Sequence, residues 1–267
     1  MAINQSLSHG LRILRTIAER GPELGVREVA RLLSLDKSKA SRLLLTLAEE
    51  GFLEQNRATR RYRVGATTFE IGQKYTRANP LYSACHDDLH QLAEKENLNV
   101  YLGVRSNNMM LYLYAIQGAQ PYVFRINTGV TGQLHTTAAG KVLLAAMSDD
   151  ELRDLLPKLS LNRLTPYSIV NSRALMTDLR ATRSRGYSIS DEENLVDIFA
   201  IGCPIRDASG AVVAAMSSAI HKQGQDKAFF KNMQEVTERC AAIISSKQGA
   251  LPGPAFGDSG RRKSPAA

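Results

Sequence analysis

The sequence predicts an α+β protein of two domains, residues 1–65 and 80–250, joined by a helix at 66–79. Three observations predict it. Apolar residues recur at helical spacing through residues 7–50 and then alternate over 52–64, which describes three helices and a hairpin. Beyond Asn79-Pro80 the order becomes helix, strands, helices, strands, helix, with turn residues between paired strands, the pattern of an antiparallel sheet with packed helices. Charge is also segregated: of a net +8, residues 1–78 hold 14 Lys and Arg against 8 Asp and Glu, whereas residues 79–257 hold 17 against 17.

In the first domain, Leu7, Leu11, Leu14 and Ala18 recur at helical spacing, and Gly21-Pro22 ends that helix. A second helix, 26–33, carries Val29, Ala30 and Leu33. After a short turn, Asp36 is placed to cap a third helix, 37–50. Ala40, Leu43, Leu44 and Leu47 form its single apolar stripe, and Gly51 ends it. "FLEQNRATRRYRVG" then alternates as a hairpin with its tip at 56–61. A helix at 66–78 leads to the domain boundary.

The second domain opens with a helix carrying Tyr82, Cys85, Leu89 and Leu92. "NVYLGVRS" and "MMLYLYAIQ" flank Asn107-Asn108, a hairpin signal. "YVFRI" is a third strand. Helices are expected at 137–147, 149–156 and 172–186, two strands around Ala208-Ser209-Gly210, and a last helix at 225–247. The tail, 251–267, is rich in Gly, Pro, Ser and Ala and is expected to be disordered.

The chain of 267 residues is 43% hydrophobic and 22% charged, values of a core-forming globular protein. Its start lacks a secretory pattern, and its longest uncharged stretch, 106–124, is broken by Gly, Pro, Asn and Gln. Three widely spaced cysteines without a CxxC fit a reducing compartment. A cytoplasmic protein with no membrane partner is expected.

Helices 26–33 and 37–50, with their short turn, have helix-turn-helix spacing. With Ala40 and Leu43 inward, Lys37, Ser38, Ser41, Arg42 and Leu45 face outward, Lys39 lies on the same first turn, and a major groove admits such a helix. The hairpin, with Arg57, Arg60, Arg61 and Arg63, becomes a basic wing for phosphates or the minor groove. Double-stranded DNA is therefore the expected partner, and Lys37, Ser38, Lys39, Ser41, Arg42, Arg60 and Arg61 its expected contacts.

With those residues in place the chain resembles the IclR-type transcriptional regulators of bacteria over residues 6–248. "GLRILRTIAERG", "VREVARLLSLDKSKASRLLLTLAEEGFLE" and "YRVGATTFEIG" carry the resemblance in the first domain. "LHTTAAGKVLLAAMSDDEL", "RSRGYSISDEEN" and "IGCPIRDASGAVVAAMSSA" carry it in the second. It implies a winged helix-turn-helix, a linker helix and a GAF/PAS-like effector domain. It also implies homodimers, or dimers of dimers, on palindromic operators.

Thr136 or Thr137 caps a helix whose first turn is Ala138-Ala139-Gly140, small residues that leave amide groups open to an anion. A carboxylic acid effector is the expectation, with a lean toward a partly apolar or aromatic one beside Tyr122 and Phe124. By resemblance the pocket is lined by Phe124, by Gly132, Ala138 and Ala139, by Asp191, Ile198 and Ala200, and by Ser217 and Ala219. Alternation puts Ile198 with Ala200, and Ser217 with Ala219, on common strand faces. Two departures from the family stand out: Asp197 replaces a usual Gly, and Gly202-Cys203 replaces a usual pair of alanines. An Asp197 facing the pocket would repel an acid.

"GK" at 140–141 is not a phosphate loop, because His135 and Val142 stand where Gly and Ser/Thr are needed. His86 and His90 are four apart on a helix but have no matched third ligand. No catalytic set, metal site or cofactor loop is assigned. A regulator responding to a ligand is expected, and an enzyme is not. The alternative is a constitutive DNA-binding protein whose second domain only oligomerises.

Overall fold

The computed structural model describes residues 3–119, 126–254 and 256. The strand expected at "YVFRI" and the pocket residue Phe124 lie outside them, Ile126 excepted. The chain divides into two compact units, Met1–Asn79 and Pro80–Ala267.

In the first unit, α1 spans Gln5–Arg20, α2 Val26–Leu33, α3 Lys37–Glu49, and α4 Ala66–Ala78; β1 (Leu53–Gln55) and β2 (Tyr62–Val64) pair antiparallel. The core is Ile13, Ile17, Leu24, Val29, Leu44, Leu53 and Tyr62. Full burial of such a side chain contributes about 1.5–3 kcal/mol. The buried face of α1 is Gly10, Ile13 and Ile17. Leu7, Leu11 and Ala18 of the expected stripe are exposed instead. Two apolar stripes coexist on this helix. The stripe with the β-branched pair closes on Val29 and Leu44, and the other is left to solvent. Ser34 takes a left-handed conformation (φ 53°) in the turn, and the Asp36 carboxylate caps α3 by accepting from the Lys39 amide at 2.7 Å.

In the second unit, α5 (Pro80–Glu96) precedes β3 (Asn99–Ser106) and β4 (Met109–Ile116). β5 (Thr131–Gln133), α6 (Ala138–Ala145), α7 (Asp149–Leu155), a 3-10 turn and α8 (Ser172–Arg185) follow. β6 (Ser188–Asp191), β7 (Ile198–Arg206), β8 (Val212–His221) and α9 (Lys227–Lys247) complete it. The strands form one antiparallel sheet in the order β5-β4-β3-β8-β7-β6. β5 and β6 are short and polar, so periodicity missed them.

Strand alternation divides the sheet into two faces. Val100, Leu102, Ile201, Cys203, Met216 and Ile220 pack under α5 and α9. Tyr101, Met110, Tyr112, Ala215 and Ala219 pack under α6 and α8. All three cysteines are free and buried; burial pushes the Cys85 thiol up to about 12, so it behaves as a small hydrophobe. Of the expected tail, residues 251–254 and 256 are described. Arg206 donates to the Gly253 and Pro254 carbonyls, and Phe256 packs against the α6 core.

Candidate nucleic-acid interface and effector cavity

The outward face of α3 presents Lys37, Ser38, Arg42 and Leu45 to solvent, with Lys39 and Ser41 half-buried beside buried Ala40 and Leu44. Ser38 Oγ donates to the capping Asp36 at 2.7 Å. This commits its hydroxyl proton to the cap. The Asp36 carboxyl is held below its ordinary range, first by that hydroxyl and then by the Lys39 amide.

The wing is braced from within. Glu23 accepts from Asn56 Nδ2 at 2.9 Å and from Thr59 Oγ1 at 3.1 Å, and Leu24 and Tyr62 exchange backbone hydrogen bonds. Arg61, expected to face DNA, pairs with Glu28 at 2.7 Å and donates to the Glu23 carbonyl at 3.0 Å. Arg63 pairs with Glu54 at 2.8 Å. Arg57 and Arg60 are exposed and have no ion pair among the described residues. Hairpin arginines look alike in sequence; only the acids facing them separate tethers from contacts.

A cavity of about 30 Å³ lies between the sheet and the start of α6. Ile198, Ala200, Ser217 and Ala219 line it from β7 and β8, and Ala138 lines it from α6, as the sequence suggested. Register explains the grouping: Ala200 faces Ala219, and Gly202 faces Ser217. Tyr101 and Tyr112 complete the sheet wall, with Ile126, Thr137, Ser190, Asn194 and Leu195 around it. Alternation along β3 could have found Tyr101, since it lies opposite Ser217.

Three expected residues lie elsewhere. Ala139 packs in the core, and Asp191 pairs with Lys222 at 2.8 Å. Gly132 backs the Tyr112 ring: a Cβ there would come within 3.1 Å of it. Asp197 does not line the cavity. It is exposed and takes a left-handed φ of 61°, which explains why a Gly suits that position. Gly202 permits close approach: an added Cβ would meet the Ala138 carbonyl carbon at 2.6 Å.

Thr137 caps α6 by accepting from the Gly140 amide at 3.2 Å. The Ala138 and Ala139 amides precede the first intrahelical hydrogen bond, at the positive end of the helix. Among the described residues no charged side chain lines the cavity. Lys141, fully buried one turn in, is held by Glu193 at 2.6 Å and Asp178 at 3.1 Å. His135 Nε2 lies 3.1 Å from the Asn162 carbonyl, and burial holds its pKa down. Among the described residues no three His, Cys, Asp or Glu cluster as a metal site. No helix there is long and apolar enough to cross a membrane.

Residues 6–57 match the IclR helix-turn-helix domain, and residues 73–246 match the bacterial transcriptional regulator IclR C-terminal domain. The chain is similar to the HTH-type transcriptional regulator XynR of Escherichia coli, at 28% identity over 93% of this chain and 99% of the relative. It is 31% identical to the acetate operon repressor of Salmonella typhimurium over 80% of this chain and 78% of that one. The crystal structure of Thermotoga maritima IclR superposes with a TM-score of 0.67 at 28% identity, covering 91% of this chain and 98% of that one. An IclR homolog from Microbacterium hydrocarbonoxydans, solved with 4-hydroxybenzoate, shares the fold with a TM-score of 0.78 at 20% identity, over 91% and 99% of the two chains. These relatives are transcriptional regulators and not enzymes. Both domain models match in order along most of the chain, on a helix-turn-helix unit followed by an antiparallel effector-type domain, and the chain belongs to the IclR family of bacterial DNA-binding transcriptional regulators.

Proposed function

We propose that this protein reads a palindromic operator as a homodimer, or a dimer of dimers, and changes its hold on that operator when a small carboxylic acid enters the second domain. The α3 face supports the DNA contacts: Lys37, Ser38, Lys39, Ser41 and Arg42 would address the major groove, and Arg57 and Arg60 the flanking phosphates. Two α3 helices would sit about one DNA turn, roughly 34 Å, apart. Exposed Leu7, Leu11, Phe69, Ile71 and Tyr75 supply apolar surface for self-association.

The single observation that carries the ligand half is the cavity itself. It brings together Ala138 at a helix N-terminus, the Ser217 hydroxyl and the apolar Ile198, Ala200 and Ala219. Amide donors at a helix N-terminus beside a hydroxyl suit one carboxylate. Binding changes the DNA-bound population only by as much as the two states differ in affinity for the acid.

The test is operator capture: purified protein, fragmented genomic DNA and about 0.15 M salt, where non-specific binding weakens. One sharp palindromic site, released by an acid related to the neighbouring genes, supports the proposal. A sharp site unaffected by any acid leaves a constitutive DNA-binding protein. No enrichment over random DNA defeats the operator reading.

A further inference from the structure

Leu45 stands on the outward face of α3, yet the DNA contacts assigned above give it no role. It is 46% exposed, whereas its neighbour Leu44 is fully buried. Among the described residues, Leu43, Leu44 and Leu47 belong to the core of the first unit or pack against it, and Leu45 does not. Helical spacing explains the split. Ala40, Leu44 and Leu47 share the inner face, while Ser38, Arg42 and Leu45, at i, i+4 and i+7, share the opposite one. An exposed leucine is ordinary on a protein surface. What distinguishes Leu45 is its place: one turn beyond the Arg42 guanidinium, on the same stripe.

Hydrogen bonding narrows what this stripe can do. The Ser38 hydroxyl donates to Asp36 at 2.7 Å, and the Thr46 hydroxyl donates to the Arg42 carbonyl at 3.1 Å. Both protons are committed within the protein. Glu49, exposed one turn beyond Leu45 on the same stripe, has the wrong charge for phosphates. The length of α3 that DNA can accept therefore runs from Lys37 to Leu45 and ends in an apolar group. Arg42 and Leu45 are about 4.5 Å apart along the axis, at about 1.5 Å per residue. That is close to one base-pair step of about 3.4 Å. The apolar group that a base edge shows in the major groove is the thymine C5-methyl.

We propose that Leu45 is a specificity-determining residue that packs on the C5-methyl of a thymine next to the base addressed by Arg42. This inference rests on the operator reading above and adds the identity of one base to it. Contact removes both apolar groups from water. Ser41 and Ser38, small residues one and two turns before Leu45, let the helix approach closely enough for it. Cytosine at that place presents an amino donor, which Leu45 cannot accept, so the wrong base is rejected as well as the right one held.

The experiment starts from a duplex that the full chain selects from a randomised library at about 0.15 M salt. Each thymine of one half-site is replaced in turn by deoxyuridine, which lacks only the C5-methyl and keeps the same base pairing. Fluorescence anisotropy gives affinities for the parent, Leu45→Ala and Leu45→Met, and thermal unfolding confirms that the variants fold. Because Leu45 is exposed, both melting temperatures should stay near the parent's. One thymine should respond: its replacement weakens the parent roughly three- to fivefold, the value of one buried methyl. Leu45→Ala should bind the thymine and uracil duplexes alike. Leu45→Met, which keeps an apolar side chain, should retain part of the preference. A selected half-site without thymine, or a parent indifferent to every methyl, overturns the proposal and leaves the operator reading intact. So does a methyl effect that survives undiminished in Leu45→Ala, since another group then reads that thymine. A library that yields no preferred sequence defeats the operator reading and this inference together.

Discussion

Lys141 and Glu193 form a buried ion pair, Nζ to Oε1 at 2.6 Å, that ties the first turn of α6 to the loop carrying the cavity residues Asn194 and Leu195. Asp178 of α8 makes the second contact, at 3.1 Å. Lys141 has no exposed surface. Removing one partner of a buried pair strands the other charge, which costs about 3–5 kcal/mol. Lys141→Met is expected to cost that much by chemical denaturation. Glu193→Gln is expected to cost less, because Asp178 still faces the ammonium.

The same pair gives a pH dependence whose sign follows from burial. Desolvation raises the Glu193 carboxyl above its ordinary value of 4.5, and Lys141 only partly opposes this. A carboxyl raised in the folded state favours folding below its unfolded value, and that contribution is lost as pH rises through the folded value. Without Lys141 the opposition is gone and the carboxyl rises further. The stability gap between the parent and Lys141→Met is therefore expected to narrow as pH falls from neutrality toward 4.5. Urea unfolding at several pH values measures it, and a gap that widens on acidification contradicts this account of Glu193.

This pair also marks the limit of what the sequence could show. The apolar stripe of α3, the Asn107 hairpin, the α9 helix and the β7–β8 hairpin were legible because period and turn chemistry encode them locally. Ile198, Ala200, Ser217 and Ala219 were legible through strand alternation added to a family resemblance. The partner of Lys141 was not, because residues 52 apart meet only once the sheet exists. Tyr112 was not legible either: the β3–β4 register shifts at Leu102/Gly103, and Tyr112 and Tyr114 fall in opposite cores where simple alternation would put them on one face. On α1, Leu7 and Ile13 both belong to helical stripes, and only the position of Val29 and Leu44 chooses between them.

Gly202 departs from the usual residue of the family for a reason visible in its neighbours. A methyl group there would approach the Ala138 carbonyl carbon and Ser188 Oγ, each at 2.6 Å. Ser188 Oγ in turn donates to the Ala138 carbonyl at 2.6 Å. Gly202→Ala is expected to push α6 off the sheet and to cost about 1–3 kcal/mol, the range for overpacking. It should also weaken any ligand that uses the Ala138 amide. Unchanged stability would mean that α6 shifts freely, and that the cavity wall is not fixed by this contact.

Glu23 braces the wing by holding Asn56 and Thr59, and those hydrogen bonds hold its carboxyl below the ordinary range. Glu23→Ala is expected to speed amide exchange at residues 56–61 without altering the second unit. DNA affinity should fall with it, because a loose wing must be ordered on binding. Exchange rates at those amides equal to the parent's would show that the Leu24–Tyr62 backbone pairing alone holds the wing.

The two arginine classes of the first unit separate in the last experiment. Arg42 is exposed on the α3 face, whereas Arg61 is tied to Glu28 and to the Glu23 carbonyl. If Arg42 addresses a base, Arg42→Ala should cost about 1–3 kcal/mol on the specific operator and little on random DNA. Its melting temperature should stay near the parent's. Arg61→Ala should do the reverse: a lower melting temperature, and a loss of affinity that is the same on both DNAs because it comes from the wing's disorder. Titration against operator and scrambled duplexes at two salt concentrations distinguishes the cases, since a phosphate contact also lowers the salt slope by about one. Equal losses for Arg42→Ala on both duplexes would make it a phosphate anchor and move sequence reading to Ser38, Ser41 and Lys37. A selective loss with Arg61→Ala would mean that the Glu28 tether opens when DNA arrives.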